Sequence, residues 1–171
     1  MDISELQKRL WEWQTEQFAP IEPALLALGV FEETGELAHC LLKRAQKIRE
    51  GVDEDGMKKK IRDAVGDISI YWLNLASRYG VSMSNKVLDP PELPGPVGFV
   101  GIAMAAGDLL WRASTSNNEI TDAVRYEMAM LMACLSTFCV AESIPLLETI
   151  HEVAEEVMKR DWKNNPAGVG I

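Results

Sequence analysis

The chain has 171 residues, 47% of them hydrophobic, with 26 acidic against 17 basic side chains and a formal net charge of −9. Such a charge excludes general binding to nucleic acid or to an anionic membrane, since both reward a basic surface. No apolar stretch reads as approaching the roughly 20 residues of a bilayer span. The length suits one domain with a sizeable core. The opening MDISELQKRLWEWQ lacks the apolar centre of a signal peptide. Cys40, Cys134 and Cys139 are odd in number and scattered, which suits ordinary buried thiols in a reducing cytoplasm. A cytoplasmic location is therefore expected.

Ala, Leu, Met, Glu and Lys are plentiful, a mix that leans helical, and apolar residues recur at three- and four-residue steps almost throughout. Leu6, Leu10 and Trp13 mark a first helix with Ser4 as its expected N-cap and Asp2 beside it. After Pro20 and Pro23 a long helix carries Leu25, Leu26, Val30, Leu37, Leu41 and Ile48 and ends before Gly51. GVDEDG reads as a loop. A third helix is predicted from Met57 to Tyr79, with Gly80 at its C-terminal cap. The proline-rich stretch at 89–97 is the main linker. Helices follow at about 98–114, 119–141 and 144–162, with Asn117 or Asn118 and Ser143 as natural caps and Pro145 in an early helical position. No strand is evident. The expectation is one all-α domain, a bundle of about five to six helices.

The halves also echo each other. Ile61–Val81 overlays Ile120–Val140 without gaps, and Leu28–Leu37 overlays Val100–Leu109. Either the chain holds an internal duplication, with a catalytic half at about 1–85 and a degenerate half at about 98–165, or two Ala/Met-rich helices resemble each other by chance. Under duplication Glu33 becomes Ala105 and Asp67 becomes Tyr126, so one site per chain is expected.

The chemistry concentrates in two segments. Glu32, Glu36, His39 and Lys43 share one stripe of the second helix, with Glu33 flanking it, and Asp63, Asp67, Tyr71 and Asn74 share a stripe of the third. If these helices are antiparallel neighbours, four or five carboxylates meet. Unpaired and buried they cost several kcal/mol or become neutral; a divalent cation removes that cost. Hard oxygen ligands suit Mg²⁺, Mn²⁺ or Ca²⁺ better than zinc. The plain alternative is a solvated acidic surface. Against it, Gly35 and Gly66 sit beside Glu36 and Asp67, where they are expected to let the two helix backbones approach, and both acid groups interrupt strongly apolar helices. Eight of the 17 cations fall between Lys43 and Arg62. Cations beside carboxylates suit a metal–polyphosphate complex, and Lys43 and Arg62 are the pair singled out.

EETGELAHCLLK followed by IRDAVGDISIYWLNLA resembles the paired signature of the MazG-like all-α nucleoside-triphosphate pyrophosphohydrolases, a superfamily that includes dimeric dUTPases, dCTP pyrophosphatases and phosphoribosyl-ATP pyrophosphatases. The resemblance is best over Glu32–Ser77, with weaker agreement at Leu6–Phe18 and in VMKRDWKNNP. It implies hydrolysis of a nucleoside triphosphate to the monophosphate and pyrophosphate, with two or more Mg²⁺ (or Mn²⁺) ions and a homodimer or higher homo-oligomer. Glu33 and Glu36 match the family's Glu-x-x-Glu pair and Asp67 the end of its Glu-x-x-Asp pair; the Glu expected three before Asp67 is Ala64, and the acid stands instead at Asp63. Glu32 or Glu33 is the implied general base, and Lys159 and Arg160 are implied phosphate contacts. Trp11, Trp13, Tyr71 and Trp72 are aromatic candidates for stacking on a base, or core residues.

Two rival readings remain. Glu36-x-x-His39 and Glu148-x-x-His151 both have the Glu-x-x-His spacing of ferritin-like di-iron bundles. The other rival is a non-catalytic helical binding protein, suggested by Ala64 and the degenerate second half.

Overall fold

The computed structural model describes residues 2–48, 53–88 and 98–165. Among these residues the chain forms six α-helices and no strand: α1 (Ile3–Gln17), α2 (Pro23–Ala45), α3 (Glu54–Arg78), α4 (Phe99–Thr115), α5 (Asp122–Ala141) and α6 (Leu146–Met158), with a 3₁₀ turn at Asn85–Leu88. The all-α bundle is as expected. The proline-rich linker at 89–97 and Gly51 lie outside the described residues.

Several caps differ from expectation, each for a local reason. Asp2 caps α1, its carboxylate accepting from the Ser4 amide at 2.8 Å, so Ser4 is the capped residue and not the cap. Asp53 accepts from the Gly56 amide at 2.8 Å, which draws Glu54, Asp55 and Gly56 out of the expected loop and into the first turn of α3. Acids in that turn also complement the helix dipole. Thr121 caps α5 through the Val124 amide at 3.2 Å, while Asn117 and Asn118 take left-handed backbone at φ 50° and 65° before it. Ser143, also left-handed, precedes Pro145, which is itself the N-cap of α6. Gly80, at φ 69°, follows α3 as expected. Helix α6 ends at Met158, short of the expected 162. Beyond it the chain runs back along α1, where Trp13 Nε1 donates to the Arg160 carbonyl at 3.3 Å and the Lys163 amide to Gln17 Oε1 at 3.2 Å.

Helix α2 lies antiparallel to α3. Near its start Gly29 abuts Tyr71, whereas Lys43 near its end shares a cavity with Met57. Helix α2 also packs on α4, α4 on α5, and α3 on α1 and α6. The core is formed by Val30 and Leu37 of α2, Val65 and Ile68 of α3, Leu109 of α4, Leu135 of α5 and Ile150 of α6, all fully buried. Trp72 belongs to this core; its Nε1 donates to the Met128 carbonyl at 3.0 Å. That placement removes it from the base-stacking candidates. Helix α5 is 20 residues long and contains an 18-residue stretch with a mean hydropathy of 1.3, so by length and composition it could cross a membrane, contrary to the sequence reading; 56% of that stretch is buried inside the bundle.

The glycines act differently from expectation. A Cβ on Gly66 would stand 2.4 Å from Val153 Cγ2 and 2.6 Å from Val153 Cβ, so this glycine brings α6, not α2, onto α3. A Cβ on Gly35 would meet nothing within 4 Å. The close approach of α2 to α3 is served by Gly29, whose added Cβ would lie 2.4 Å from the Tyr71 ring. Because Val153 Cβ sits next to its own backbone, it has little room to yield. Gly66→Ala is therefore expected to destabilise the protein by about 1–3 kcal/mol, read as a lowered thermal midpoint; an unchanged midpoint would contradict this packing.

Candidate functional site

Antiparallel packing sets Glu33, on the α3-facing side of α2, across from Asp67 and Tyr71 of α3. All three are half-buried. They line a cavity of about 320 Å³ with Trp13, Gln14, Phe18, Ile70, Asn74, Val157, Arg160 and Trp162. The lining thus combines two acids, Glu33 and Asp67, with the aromatic rings of Trp13, Phe18, Tyr71 and Trp162. Asn74 is 1% exposed; its Nδ2 donates to Gln14 Oε1 at 3.3 Å, and among the described residues no donor reaches its Oδ1. A buried amide oxygen with no partner is costly unless something else satisfies it.

The electrostatics of the acids follow from burial and like charge. Burial pushes the Glu33 carboxyl up to about 8, and the neighbouring charges of Asp67, Glu32 and Glu36 and a hydrogen bond with Glu32 add to the rise. Asp67 is pushed up to about 6, first by burial; Arg160 opposes the shift, while Asp63, Glu36 and Glu32 reinforce it. Burial raises Tyr71 too, helped by Glu33, Glu32 and Asp67. Glu32 and Glu36 are exposed and act on Glu33 and Asp67 from the solvent edge.

Asp63 stands on the other side of Asp67. Burial raises it, Lys59 and Arg62 lower it, and Glu152 raises it. It belongs to a larger groove of about 1030 Å³ between α3 and α6, lined also by Lys58, Lys59, Arg62, His151 and Glu152. Asp67, Val157 and Arg160 line both spaces, so the cavity and the groove meet at them. Arg62 pairs with Glu152 at 2.6 Å. Ala64, where the resembled pattern has Glu, is 3% exposed and packs in the core.

Of the residues expected at the site, the structure thus brings together Glu33, Asp67, Tyr71, Asn74 and Arg160, with Glu32 and Glu36 at the edge and Asp63 and Arg62 in the adjoining groove. It does not bring Lys43, which lines a separate cavity of about 280 Å³ beside Lys47, Asp53 and Met57. Nor does it bring Lys159, which is exposed and bound to Glu156 at 2.6 Å. Trp11 lines neither space, whereas Trp13 lines the cavity. Gln14, Phe18, Trp162 and Lys59 were not singled out from the sequence. For Gln14 a signal existed: it repeats Gln7 one heptad on, beside an apolar stripe, and both glutamines are buried. In the second half Asp108 and Glu127 are neighbours, but Arg112 accompanies them, so no comparable acid-only group forms there.

The donor set fits a hard divalent cation in kind: carboxylate oxygens from two helices, two of them desolvated and mutually repelling. In geometry, no three His, Cys, Asp or Glu side chains converge closely enough to hold a metal ion among the described residues. The di-iron pairs gain nothing here, since Glu148 is exposed on α6 and His39 on α2. Compared with known proteins, the chain matches no family model, no curated protein and no solved structure.

The raised carboxyls set the sign of the pH response. Between roughly pH 4 and 8 the folded protein holds protons on Asp67 and Glu33 that the unfolded chain releases, so stability falls as pH rises through that window. Thermal melts of metal-free protein should show this decline, and Glu33→Gln should flatten it. Mg²⁺ should raise the midpoint more at pH 8 than at pH 6, because at pH 6 it must displace a proton from Glu33. A midpoint that climbs from pH 5 to 8 without metal would contradict the assignment.

Proposed function

We propose that this chain is a metal-dependent nucleoside-triphosphate pyrophosphohydrolase, MazG-like as its two acidic segments resemble, releasing pyrophosphate and the nucleoside monophosphate. The observation that carries the reading is the cavity itself: Glu33 and Asp67, from different helices and both desolvated, line one space together with the aromatic side chains of Trp13, Phe18, Tyr71 and Trp162 and with Arg160. Carboxylates that repel each other favour a bound cation, aromatic rings favour a base, and a cation at the junction favours a phosphate.

Glu33, Glu36, Asp67 and Asp63 would hold Mg²⁺ or Mn²⁺, which when bound neutralises the triphosphate and lowers the pKa of an attacking water. A carboxylate oxygen of Glu32 or Glu33 takes the proton from that water as its oxygen bonds to the α-phosphorus. The bond from that phosphorus to the bridging oxygen breaks, and pyrophosphate leaves toward the groove, where Arg160, Lys59 and Arg62 face it. Trp13 and Tyr71 flank the base, and the Asn74–Gln14 amide pair meets its polar edge. Cytoplasmic location and assembly into a homodimer or higher homo-oligomer belong to the same reading.

One observation favours a second reading, a non-catalytic helical protein that binds its ligand in the same cavity: the carboxylates do not converge to metal-ligand distance as they stand. A panel of nucleoside triphosphates, canonical and damaged, assayed for pyrophosphate release with Mg²⁺ or Mn²⁺, separates the two. The enzyme reading expects release from at least one substrate, reduced about 10²- to 10⁴-fold in each of Glu33→Gln, Glu36→Gln and Asp67→Asn. Full activity in all three variants overturns it. Nucleotide binding without Mg²⁺ dependence and without turnover supports the binding protein instead.

A further inference from the structure

The groove between α3 and α6 is larger than the release of pyrophosphate requires. The cavity that takes the nucleoside is about 320 Å³, and the groove that meets it at Asp67, Val157 and Arg160 is about 1030 Å³. Sites for whole small molecules run from about 300 to 1,000 Å³, so the groove has the size of a second ligand site. Along α3 its lining reaches from Asp67 back to Asp55. Those residues are twelve apart in the chain, about 18 Å along a helix that rises 1.5 Å per residue. A pyrophosphate group entering from the junction at Arg160 fills only the start of that length.

The lining does not suit a ligand that is anionic throughout. Lys58, Lys59 and Arg62 share it with Asp55, Glu152, Glu155 and Glu156. Two of those cations are already engaged, Arg62 with Glu152 at 2.6 Å and Lys58 with Asp55 at 3.5 Å. Glu155 and Glu156 take their partners from outside the lining, Arg9 and Lys159, each at 2.6 Å. An ionised carboxylate offers about four acceptor sites, so one ion pair leaves each of these acids able to accept more. Hydroxyl groups can use that capacity, and phosphate oxygens cannot.

Two further observations narrow the ligand. Thr149 borders the groove although it is fully buried, and its hydroxyl has no partner among the described residues. A buried hydroxyl left in that state favours a polar neighbour. Among the described residues no Phe, Trp or Tyr lines the groove, whereas Trp13, Phe18, Tyr71 and Trp162 line the cavity. A second base therefore finds no ring to stack on. What fits beyond the junction is a neutral group rich in hydroxyls, attached to the nucleotide through its phosphates.

We propose that the groove is a sugar subsite and that the chain also hydrolyses nucleoside diphosphate sugars. The inference rests on the pyrophosphohydrolase reading, whose chemistry carries over. The base lies in the cavity and the diphosphate at the junction beside Arg160, while the sugar hydroxyls donate to Glu155 and Glu156 and accept from Lys59. The oxygen of a water bonds to the α-phosphorus, its proton passes to the carboxylate of Glu32 or Glu33, and the bond from that phosphorus to the bridging oxygen breaks. The bridging oxygen leaves with the β-phosphate, so one water is consumed and the nucleoside monophosphate and a sugar 1-phosphate are formed.

The test sets the glucose esters of ADP, CDP, GDP and UDP beside the matching triphosphates, all with Mg²⁺, and measures glucose 1-phosphate and pyrophosphate. At least one ester should release glucose 1-phosphate. Glu155→Ala and Glu156→Ala should each lower kcat/KM for that ester, relative to the triphosphate, about tenfold or more, since each removes a hydrogen bond to a charged group. Both side chains are partly exposed, 46% and 70%, so both variants should fold, and thermal melts check that they do. Triphosphates cleaved with every ester left intact overturn the sugar subsite and leave the pyrophosphohydrolase reading standing, whereas cleavage of neither overturns both. A ratio of ester to triphosphate turnover that neither variant moves, or a dinucleoside polyphosphate cleaved in preference to every glucose ester, also overturns the sugar subsite.

Discussion

Everything at the candidate site depends on carboxylates held where water is scarce. Glu33 and Asp67 face each other across the α2–α3 seam, and burial is the largest cause of the shift at each. The seam is not free to open and relieve them. Val30, Leu37, Val65 and Ile68 lock it with fully buried side chains, and Gly29 admits the Tyr71 ring against the helix backbone. The hydrophobic core therefore fixes an electrostatic problem in place, and there are two ways to resolve it. One is protonation, which the raised affinity of Glu33 shows is within reach near neutral pH. The other is a cation, which the oxygen donors favour.

Helix α6 supplies the other sign of charge. Gly66 admits Val153, and the chain then continues into the segment that carries Arg160 to the junction of cavity and groove. Ion pairs set the cations around this junction: Arg62 with Glu152 at 2.6 Å joins α3 to α6, and Arg9 with Glu155 at 2.6 Å joins α1 to α6. All four side chains are about a third exposed or more, so each pair adds little stability. Their consequence is orientation. Arg62 is held beside Asp63, whose carboxyl it lowers, and Arg160 beside Asp67.

What the sequence made legible was periodic. Glu33 and Asp67 could be set face to face because a helix repeats every 3.6 residues, and the same periodicity separated Asn74 and Tyr71 from the solvent side. Periodicity fails along the helix axis. Lys43 shares a stripe with Glu36, but ten residues from Glu33 at 1.5 Å each is about 15 Å, and Lys43 lines another cavity. It fails also for contacts between distant segments. That Gly66 answers to Val153, and that Gln14 meets Asn74, depends on which helices become neighbours. The caps were missed for a third reason: Asp, Ser, Thr and Asn compete for the same role within a few residues, and the winner is decided by backbone geometry. Ala64 shows the limit of motif matching. Its position is closed by the core, while Asp63, one residue earlier, looks out on the groove.

The net charge of −9 poses a difficulty for the proposed substrate that the local arrangement answers. A free triphosphate is repelled at long range by such a protein, and at 0.15 M salt that repulsion persists over about 8 Å. Within that distance of the groove, however, the potential is set by nearby groups, and Lys58, Lys59, Arg62 and Arg160 line it. A triphosphate that arrives already complexed with a divalent cation carries less charge to repel, and it brings to Glu33 and Asp67 the ion that relieves them. On the proposed function the acids and the cationic groove would act on different parts of one ligand: the carboxylates on its metal, the guanidinium and ammonium groups on its phosphates. The same argument explains why the acids need not be neutralised by the neighbouring arginines. An Arg salt bridge to Glu33 would settle the repulsion permanently and leave no reason for a metal complex to bind.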